Sequence, residues 1–285
     1  MKAILKISRL IKTLMMSVVL GVCMMANADV VSVSNYPLLL LSNAVTKGAQ
    51  PAQMLLSSGD VGHHGSLSPS KIKLVKDSRF VVWFGQELEQ NLVNALQNTP
   101  NAIALYRFKA FERLPLRQID GVVRPNTFDP HIWLDPANAK AIVRALAVIH
   151  GHADPANKAL YQKNAQNFAI ELDKAVRAIS PKPMPYWAYH DAYQYLEKSA
   201  QLRFVGALTP DHHLSPKASQ IKLLNDNRPQ TSMCLVSQQN VSQGILNKLG
   251  STSVVLLQED LSDYDDFVQA WMASVQKIYA CGQAG

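Results

Sequence analysis

The chain has 285 residues, with 28 Lys and Arg against 21 Asp and Glu, and a formal net charge of +7. Four of the basic residues and none of the acidic ones lie in residues 1–28. The remaining chain therefore has 24 basic and 21 acidic residues, a net charge of +3. This small excess gives little support for nucleic-acid binding, and 257 residues are enough for two domains.

Residues 1–28 have the organisation of a cleavable secretory signal. A basic start is followed by a largely apolar run over residues 14–25 and by Ala26, Asn27 and Ala28, which form a small-residue cleavage pattern. The apolar run is short for a membrane span, which disfavours an uncleaved anchor. We therefore predict a soluble mature protein that is exported.

Residues 29–153 alternate short apolar segments with helical patterns, which predicts an N-terminal α/β domain. Strands are predicted over residues 30–33, 54–57, 80–84 and 102–106, and helices over residues 36–45, 68–78 and 88–96. The segment 80–84 is apolar throughout, as expected of a strand buried on both faces. The alternation indicates a parallel sheet with helices on both sides.

Two Asp-Pro pairs mark helix starts in the middle of the chain. Asp135 and Pro136 begin one helix, and Asp154 and Pro155 begin another that is predicted to continue to the break at Pro181. The second helix would be roughly 37 Å long. We predict that residues 154–180 form a rigid helix linking two domains.

Residues 181–285 repeat the alternation and predict a C-terminal α/β domain. Strands are expected over residues 187–189, 204–207, 233–236 and 254–257, and the last helix over residues 264–279. Cys234 and Cys281 are the only cysteines after residue 28. In an oxidising compartment they are predicted to form a disulfide rather than two buried thiols, contributing about 4 kcal/mol to stability in the chain-entropy model.

Three histidines lie in separate short motifs. His63 is in GHHGSLSP, His131 is in DPHIWLDP, and His190 is in YHDAY. A neutral imidazole nitrogen is a preferred ligand of Zn²⁺, and ligands from distant segments must be brought together by the fold. The pattern therefore predicts a metal site between structural units.

These motifs, in this order, resemble the periplasmic zinc-binding components of high-affinity zinc ABC importers, the ZnuA-like solute-binding proteins. The apolar segment 80–84 with Gly85 and the two cysteines match as well. The resemblance implies two α/β domains joined by a long backbone helix, with Zn²⁺ bound in the interdomain cleft. It implies a non-enzymatic, monomeric carrier that delivers zinc to an ABC transporter membrane permease.

The resemblance also implies the metal ligands. His63, His131 and His190 fall on the family's histidine positions, although His64 could substitute for His63. Asp260 aligns with an aspartate near the family's site and is the predicted fourth ligand, with direct ligation, ligation through water and a simple loop acid left open. The neighbouring Glu259 is expected to matter little.

Some features depart from the family pattern or leave alternatives open. Residues 114–126 contain no histidine, whereas many members have a histidine- and acid-rich loop there. His212 and His213 have no ligand counterpart in the family. Mn²⁺ or Fe²⁺ could replace zinc as the transported ion, but three histidines favour zinc. A zinc hydrolase is disfavoured by the absence of an HExxH motif, and an adhesion role is not excluded.

Overall fold

The computed structural model describes residues 30–60, 67–180, 183–211 and 214–283. Each half of the chain forms a four-stranded parallel sheet flanked by helices, which confirms the predicted fold class. The predicted signal peptide and the histidines at positions 63, 64, 212 and 213 lie outside these residues. Within the described ranges, none of the helices has both the length and the apolar character that a membrane crossing requires.

The first sheet has the strand order β2-β1-β3-β4. Its strands are β1 (Val31–Val33), β2 (Gln53–Met54), β3 (Phe80–Trp83) and β4 (Ala102–Ala104), all parallel. β3 lies in the middle of the sheet, and Val81, Val82 and Trp83 are buried. The apolar composition of this strand therefore reflects helices on both faces, as predicted.

Three helices in the first half are α1 (Tyr36–Thr46), α2 (Pro69–Asp77) and α3 (Val93–Leu96). The helix predicted over residues 88–96 is shorter, consisting of a 3₁₀ turn and the single turn of α3. The reason is a tight turn after β3. The backbone N–H of Glu89 donates to the carbonyl of Gly85, and its carboxylate accepts from the N–H groups of Phe84 and Gly85.

Two long helices follow, α4 (Pro136–Ala153) and α5 (Lys158–Ala178). The Asp135 side chain accepts from the N–H of Asn138 at 2.8 Å, which confirms the predicted helix start. A 3₁₀ turn over Pro155–Asn157 precedes α5, so the α-helix is shorter than predicted, at about 31 Å for its 21 residues. One face of α5 is buried through Tyr161, Ala165, Phe168, Leu172 and Ala175. This helix joins the two halves.

The second sheet repeats the strand order of the first as β6-β5-β7-β8. Its strands are β5 (Met184–Ala188), β6 (Leu202–Ala207), β7 (Met233–Ser237) and β8 (Thr252–Leu256), and its helices are α6 (Gln194–Ala200), α7 (Ala218–Asp226), α8 (Gln243–Leu249) and α9 (Phe267–Gln283). In both sheets the strand order changes direction at the first strand. In open parallel sheets, ligands bind at the carboxyl ends of the strands beside such a point.

The predicted disulfide is confirmed. Cys234 in β7 and Cys281 in α9 are joined, with an S–S distance of 2.01 Å and a Cα–Cα distance of 5.4 Å. The bond fastens the last helix to a central strand of the second sheet.

One group of contacting buried side chains extends through both halves. It includes Val33 in the first sheet, Trp133 before α4 and Trp271 in α9. The indole N–H of Trp271 donates to the carbonyl of Leu134 at 2.8 Å. Because this core is shared, the domain divisions at residues 153/154 and 180/181 remain predictions.

A buried histidine in α4 makes folding stability sensitive to acid. His150 lies within hydrogen-bonding distance of the Ser42 hydroxyl, at 2.8 Å, and packs against Tyr161. Burial lowers the pKa of His150 from 6.5 to about 4, with Asp154 opposing the effect. Between these values the unfolded chain takes up a proton that the folded chain does not. Stability attributable to this residue is therefore lost as the pH falls from about 6.5 towards 4.

Titration of His150 alone should therefore lower the free energy of unfolding of the zinc-free protein by about 2 kcal/mol between pH 7 and pH 5. The free energy of unfolding in urea should be measured at both pH values for wild type and for His150→Gln, which can still bond to Ser42. The variant should lose about 2 kcal/mol less than wild type. His152→Gln, at an exposed position on the same helix, should behave like wild type. An unchanged pH dependence in His150→Gln would contradict this account.

Candidate metal centre

Two of the predicted histidines meet a carboxylate in a buried cluster. One ligand atom each from His131, His190 and Glu259 lies within 4.8 Å of the others, and all three residues are buried. The Glu259 Oε2 atom is 3.0 Å from His190 Nε2 and 3.7 Å from His131 Nε2. Among the described residues, this is the one group of three or more His, Cys, Asp or Glu side chains arranged to hold a metal ion.

The second sheet positions His190 and Glu259. His190 follows β5 by two residues, and the N–H of Tyr189 donates to the carbonyl of Val236 at 2.7 Å, which continues the parallel pairing. Glu259 follows β8, and its carboxylate accepts a hydrogen bond from the Gln238 side chain at 3.3 Å. Both side chains therefore lie at the carboxyl edge of this sheet, where the strand order predicts a site.

His131 reaches the cluster from the first half. It precedes a 3₁₀ turn over Ile132–Leu134 that leads into α4. The neighbouring Trp133 donates its indole N–H to the carbonyl of Glu259 at 3.0 Å and lies edge-on to the His131 ring. This bond ties the segment that carries His131 to the loop that carries Glu259, across the two halves.

Asp129 orients the His131 ring. Its Oδ1 atom lies 2.7 Å from His131 Nδ1 and accepts the backbone N–H of His131 at 2.9 Å. With Nδ1 donating to this carboxylate, the neutral imidazole has its lone pair on Nε2, which is the atom that faces Glu259. Among the described residues, His131 Nε2 has no hydrogen-bond partner although it is buried. A buried imidazole nitrogen that has no hydrogen-bond partner is suited to binding a metal ion.

The charges of the cluster also favour a cation. Burial lowers the pKa of His131, but Asp129 and Glu259 outweigh burial and raise it from 6.5 to about 10. Burial raises the pKa of Glu259, but His190 and His131 outweigh it and hold that pKa well below its usual range. When both imidazoles are neutral, the two carboxylates carry two negative charges in a buried site. A divalent cation can balance that charge.

Asp260 makes different contacts from those predicted for a ligand. One carboxylate oxygen accepts the N–H of Gly59 at 2.8 Å, and the other accepts the N–H of Ser262 at 3.0 Å. Asp260 therefore lies outside the cluster and fastens the chain just before residues 61–66 to the loop of Glu259. His63 belongs to those residues and is outside the described part of the chain, as is His64. Its proposed ligand role remains a prediction.

Sequence reasoning did not identify Glu259 and Asp129 as parts of the site. Glu259 and Asp260 are adjacent, and a sequence does not show which side chain of such a pair points towards the histidines. The sequence position of Asp129 could have indicated its role, because it lies two residues before His131 and metal-bound histidines commonly have an orienting acceptor. Asp191, the acidic residue next to His190 in the sequence, binds Arg117.

The family profile described as "Zinc-uptake complex component A periplasmic", or ZnuA, matches residues 31–281 of the chain. The chain belongs to this family. The resemblance inferred from the three histidine motifs is thereby confirmed.

Curated members of the ZnuA family and solved structures agree with this assignment. The high-affinity zinc uptake system protein ZnuA of Yersinia pestis is 26% identical over 290 residues, covering 86% of this chain and 89% of that protein. Its counterpart in Haemophilus ducreyi is 25% identical over 278 residues, covering 86% of this chain and 87% of that protein. A crystal structure of ZnuA superposes with a TM-score of 0.72 at 20% identity, covering 90% of this chain and all of that one.

A second solved structure shares the fold. The laminin-binding protein Lmb of Streptococcus agalactiae has a TM-score of 0.70 at 19% identity, covering 89% of this chain and 99% of that one. That protein is described as bifunctional, with adhesin and metal transporting activity. At this level of identity the similarity establishes the fold.

Proposed function

We propose that the chain is a periplasmic solute-binding protein that captures Zn²⁺ and delivers it to the membrane permease of an ABC importer. The observation that carries the proposal is the buried cluster of His131, His190 and Glu259 in a chain of the zinc-uptake family. The protein acts as a monomeric carrier rather than as an enzyme, and zinc is its cargo.

The ligand set follows from the cluster and the sequence. His131 Nε2, His190 Nε2 and a Glu259 oxygen supply three ligands, and His63 supplies the fourth. The bond between Asp260 and Gly59 supports this assignment, because it holds the chain four residues before His63 beside the loop of Glu259. In this proposal Asp260 supports the site and Glu259 takes the ligand position first predicted for Asp260.

The chemistry of the four proposed ligands favours zinc as the ion and transport over hydrolysis as the function. Three imidazoles and one carboxylate form a four-ligand site rich in nitrogen, which suits zinc better than Mn²⁺ or Fe²⁺. Catalytic zinc sites keep one position open for a water molecule, whereas four protein ligands close the shell. A closed shell favours binding and transport over hydrolysis.

Zinc should stabilise the folded protein, because it binds the assembled site much better than the unfolded chain. At free zinc about 100 times the dissociation constant, the expected stabilisation is about 2.7 kcal/mol. This corresponds to an increase of about 5–10 °C in the melting temperature of a chain of this size. Differential scanning fluorimetry of metal-free protein at pH 7.5, with zinc or manganese added, measures the effect.

The matched control is His190→Ala, whose melting temperature should respond to zinc much less than that of wild type. Manganese at the same concentration should raise the melting temperature of wild type less than zinc does. A wild-type protein indifferent to zinc would reject the proposed function. A larger response to manganese than to zinc would assign a different cargo.

A further inference from the structure

The segment between β4 and His131 contains a small hairpin, residues 116–124, that docks on the second half of the molecule. Within it, the N–H of Arg124 donates to Leu116 and the N–H of Gln118 donates to Val122, each at 2.8 Å. At its tip the carbonyl of Ile119 accepts the N–H of Ala207, the last residue of β6, at 2.8 Å. The hairpin is therefore attached to the edge strand of the second sheet.

A glycine allows this close approach. A Cβ atom at Gly206 would lie 3.0 Å from the Ile119 carbonyl oxygen and 2.5 Å from the Leu224 side chain. A larger residue at this position would push the hairpin away from the strand.

Arg117 extends from the hairpin and binds two carboxylates of the second half. Its Nε and Nη2 atoms donate to the two oxygens of Asp191, each at 2.7 Å. Its Nη1 and Nη2 atoms donate to the two oxygens of Glu197, at 3.1 and 2.6 Å. The guanidinium lies over the Phe204 ring, and 10% of the Arg117 side chain is exposed. A bidentate, largely desolvated arrangement of this kind requires the planar fork of arginine.

These contacts connect the two segments that carry the histidine ligands. Asp191 immediately follows His190, whereas the hairpin leads through Asp129 to His131. A parallel link exists nearby, where the Tyr195 hydroxyl accepts the N–H of Leu114 at 2.9 Å and donates to the Asp129 carbonyl at 3.1 Å. Separation of the two halves at the site would have to break the Arg117 contacts.

We propose that Arg117 is a positioning residue which, through Asp191, holds His190 opposite His131 and sets the rate at which bound zinc is released. This proposal rests on the proposed zinc-binding function. The hairpin acts as an interdomain clamp that must leave the second sheet before the ligands separate.

The test measures zinc dissociation and association rates separately. Zinc-loaded wild type, Arg117→Gln and Arg117→Lys are mixed with excess chromogenic chelator in a stopped-flow instrument. Changes in groups that orient metal ligands typically alter metal affinity by about 10- to 100-fold. We expect Arg117→Gln to release zinc about 10-fold faster, at one zinc per chain and with an unchanged association rate. Arg117→Lys keeps the charge but lacks the fork, so it should lie between wild type and Arg117→Gln.

Arg124→Gln is the matched control, since it removes the same charge from the same hairpin at an exposed position. It should release zinc at the wild-type rate. Equal rates in wild type and both Arg117 variants would overturn the clamp while leaving the zinc-binding function intact. If both variants lose zinc stoichiometry together with their melting transition, Arg117 serves the fold alone and the proposal is rejected. Absence of zinc binding by wild type and Arg124→Gln would instead reject the proposed function itself.

Discussion

Replacing His131 or His190 with alanine is expected to weaken zinc binding by about 100-fold or more. Removal of a group that only orients a ligand typically costs 10- to 100-fold, and removal of a ligand should cost at least the upper end of that range. Both imidazoles lie against Glu259 in the buried cluster, so each change removes one proposed ligand and leaves a space. Competition with a chromogenic chelator at pH 7.5 measures the affinity.

Two variants calibrate this result. His152→Ala is the control for loss of an imidazole, because His152 is exposed in α4. His150 is less suitable as a control, since it is buried and contacts Ser42, and its loss would disturb the fold. Asp129→Asn should weaken binding by about 10-fold or more, because the orienting carboxylate of His131 loses its charge. Wild-type affinity in either histidine variant would remove that residue from the site.

Glu259→Gln is expected to weaken zinc binding by at least about 10-fold, and Asp260→Asn much less. The first change removes a negative charge from the cluster while keeping the size of the side chain. The second keeps an oxygen that can still accept from Gly59 or Ser262. The alignment with the family predicted the opposite order, with Asp260 as the important acid. The same chelator competition, applied to both variants, distinguishes these two assignments.

Two other outcomes of this competition would change the ligand assignment. If Asp260→Asn lost more affinity than Glu259→Gln, the ligand would be Asp260, and the loop after β8 would have to rearrange on metal binding. If neither variant lost affinity, the carboxylate would contribute nothing and the ligands would all be histidines or water.

The sequence was sufficient to predict the fold, because local signals agreed with each other. The apolar segment of β3 and the Asp135-Pro136 helix start appear in the structure where the pattern places them. The helix predicted over residues 88–96 failed for a local reason. Glu89 folds back on Gly85 and Phe84, and a helical pattern does not reveal that competing turn.

The sequence predicted the site residues that have a distinctive residue type. It did not predict those whose role depends on the orientation of the side chain. His131 and His190 lie in one buried cluster, as expected from their motifs. The choice between Glu259 and Asp260 depends on backbone directions after β8, and a sequence pattern does not contain those directions. The Arg117 contacts with Asp191 and Glu197 join residues more than 70 positions apart, with no periodicity to indicate the pairing.

We propose that one zinc ion is held by His131, His190 and Glu259 together with His63. Diffraction from crystals of the zinc-loaded protein, measured on both sides of the zinc absorption edge, would locate the ion and its ligands. We expect one strong anomalous peak bonded to these four side chains, with zinc–nitrogen and zinc–oxygen distances of about 2.0–2.2 Å. A peak at another place in the molecule, or no peak between His131, His190 and Glu259, would contradict it.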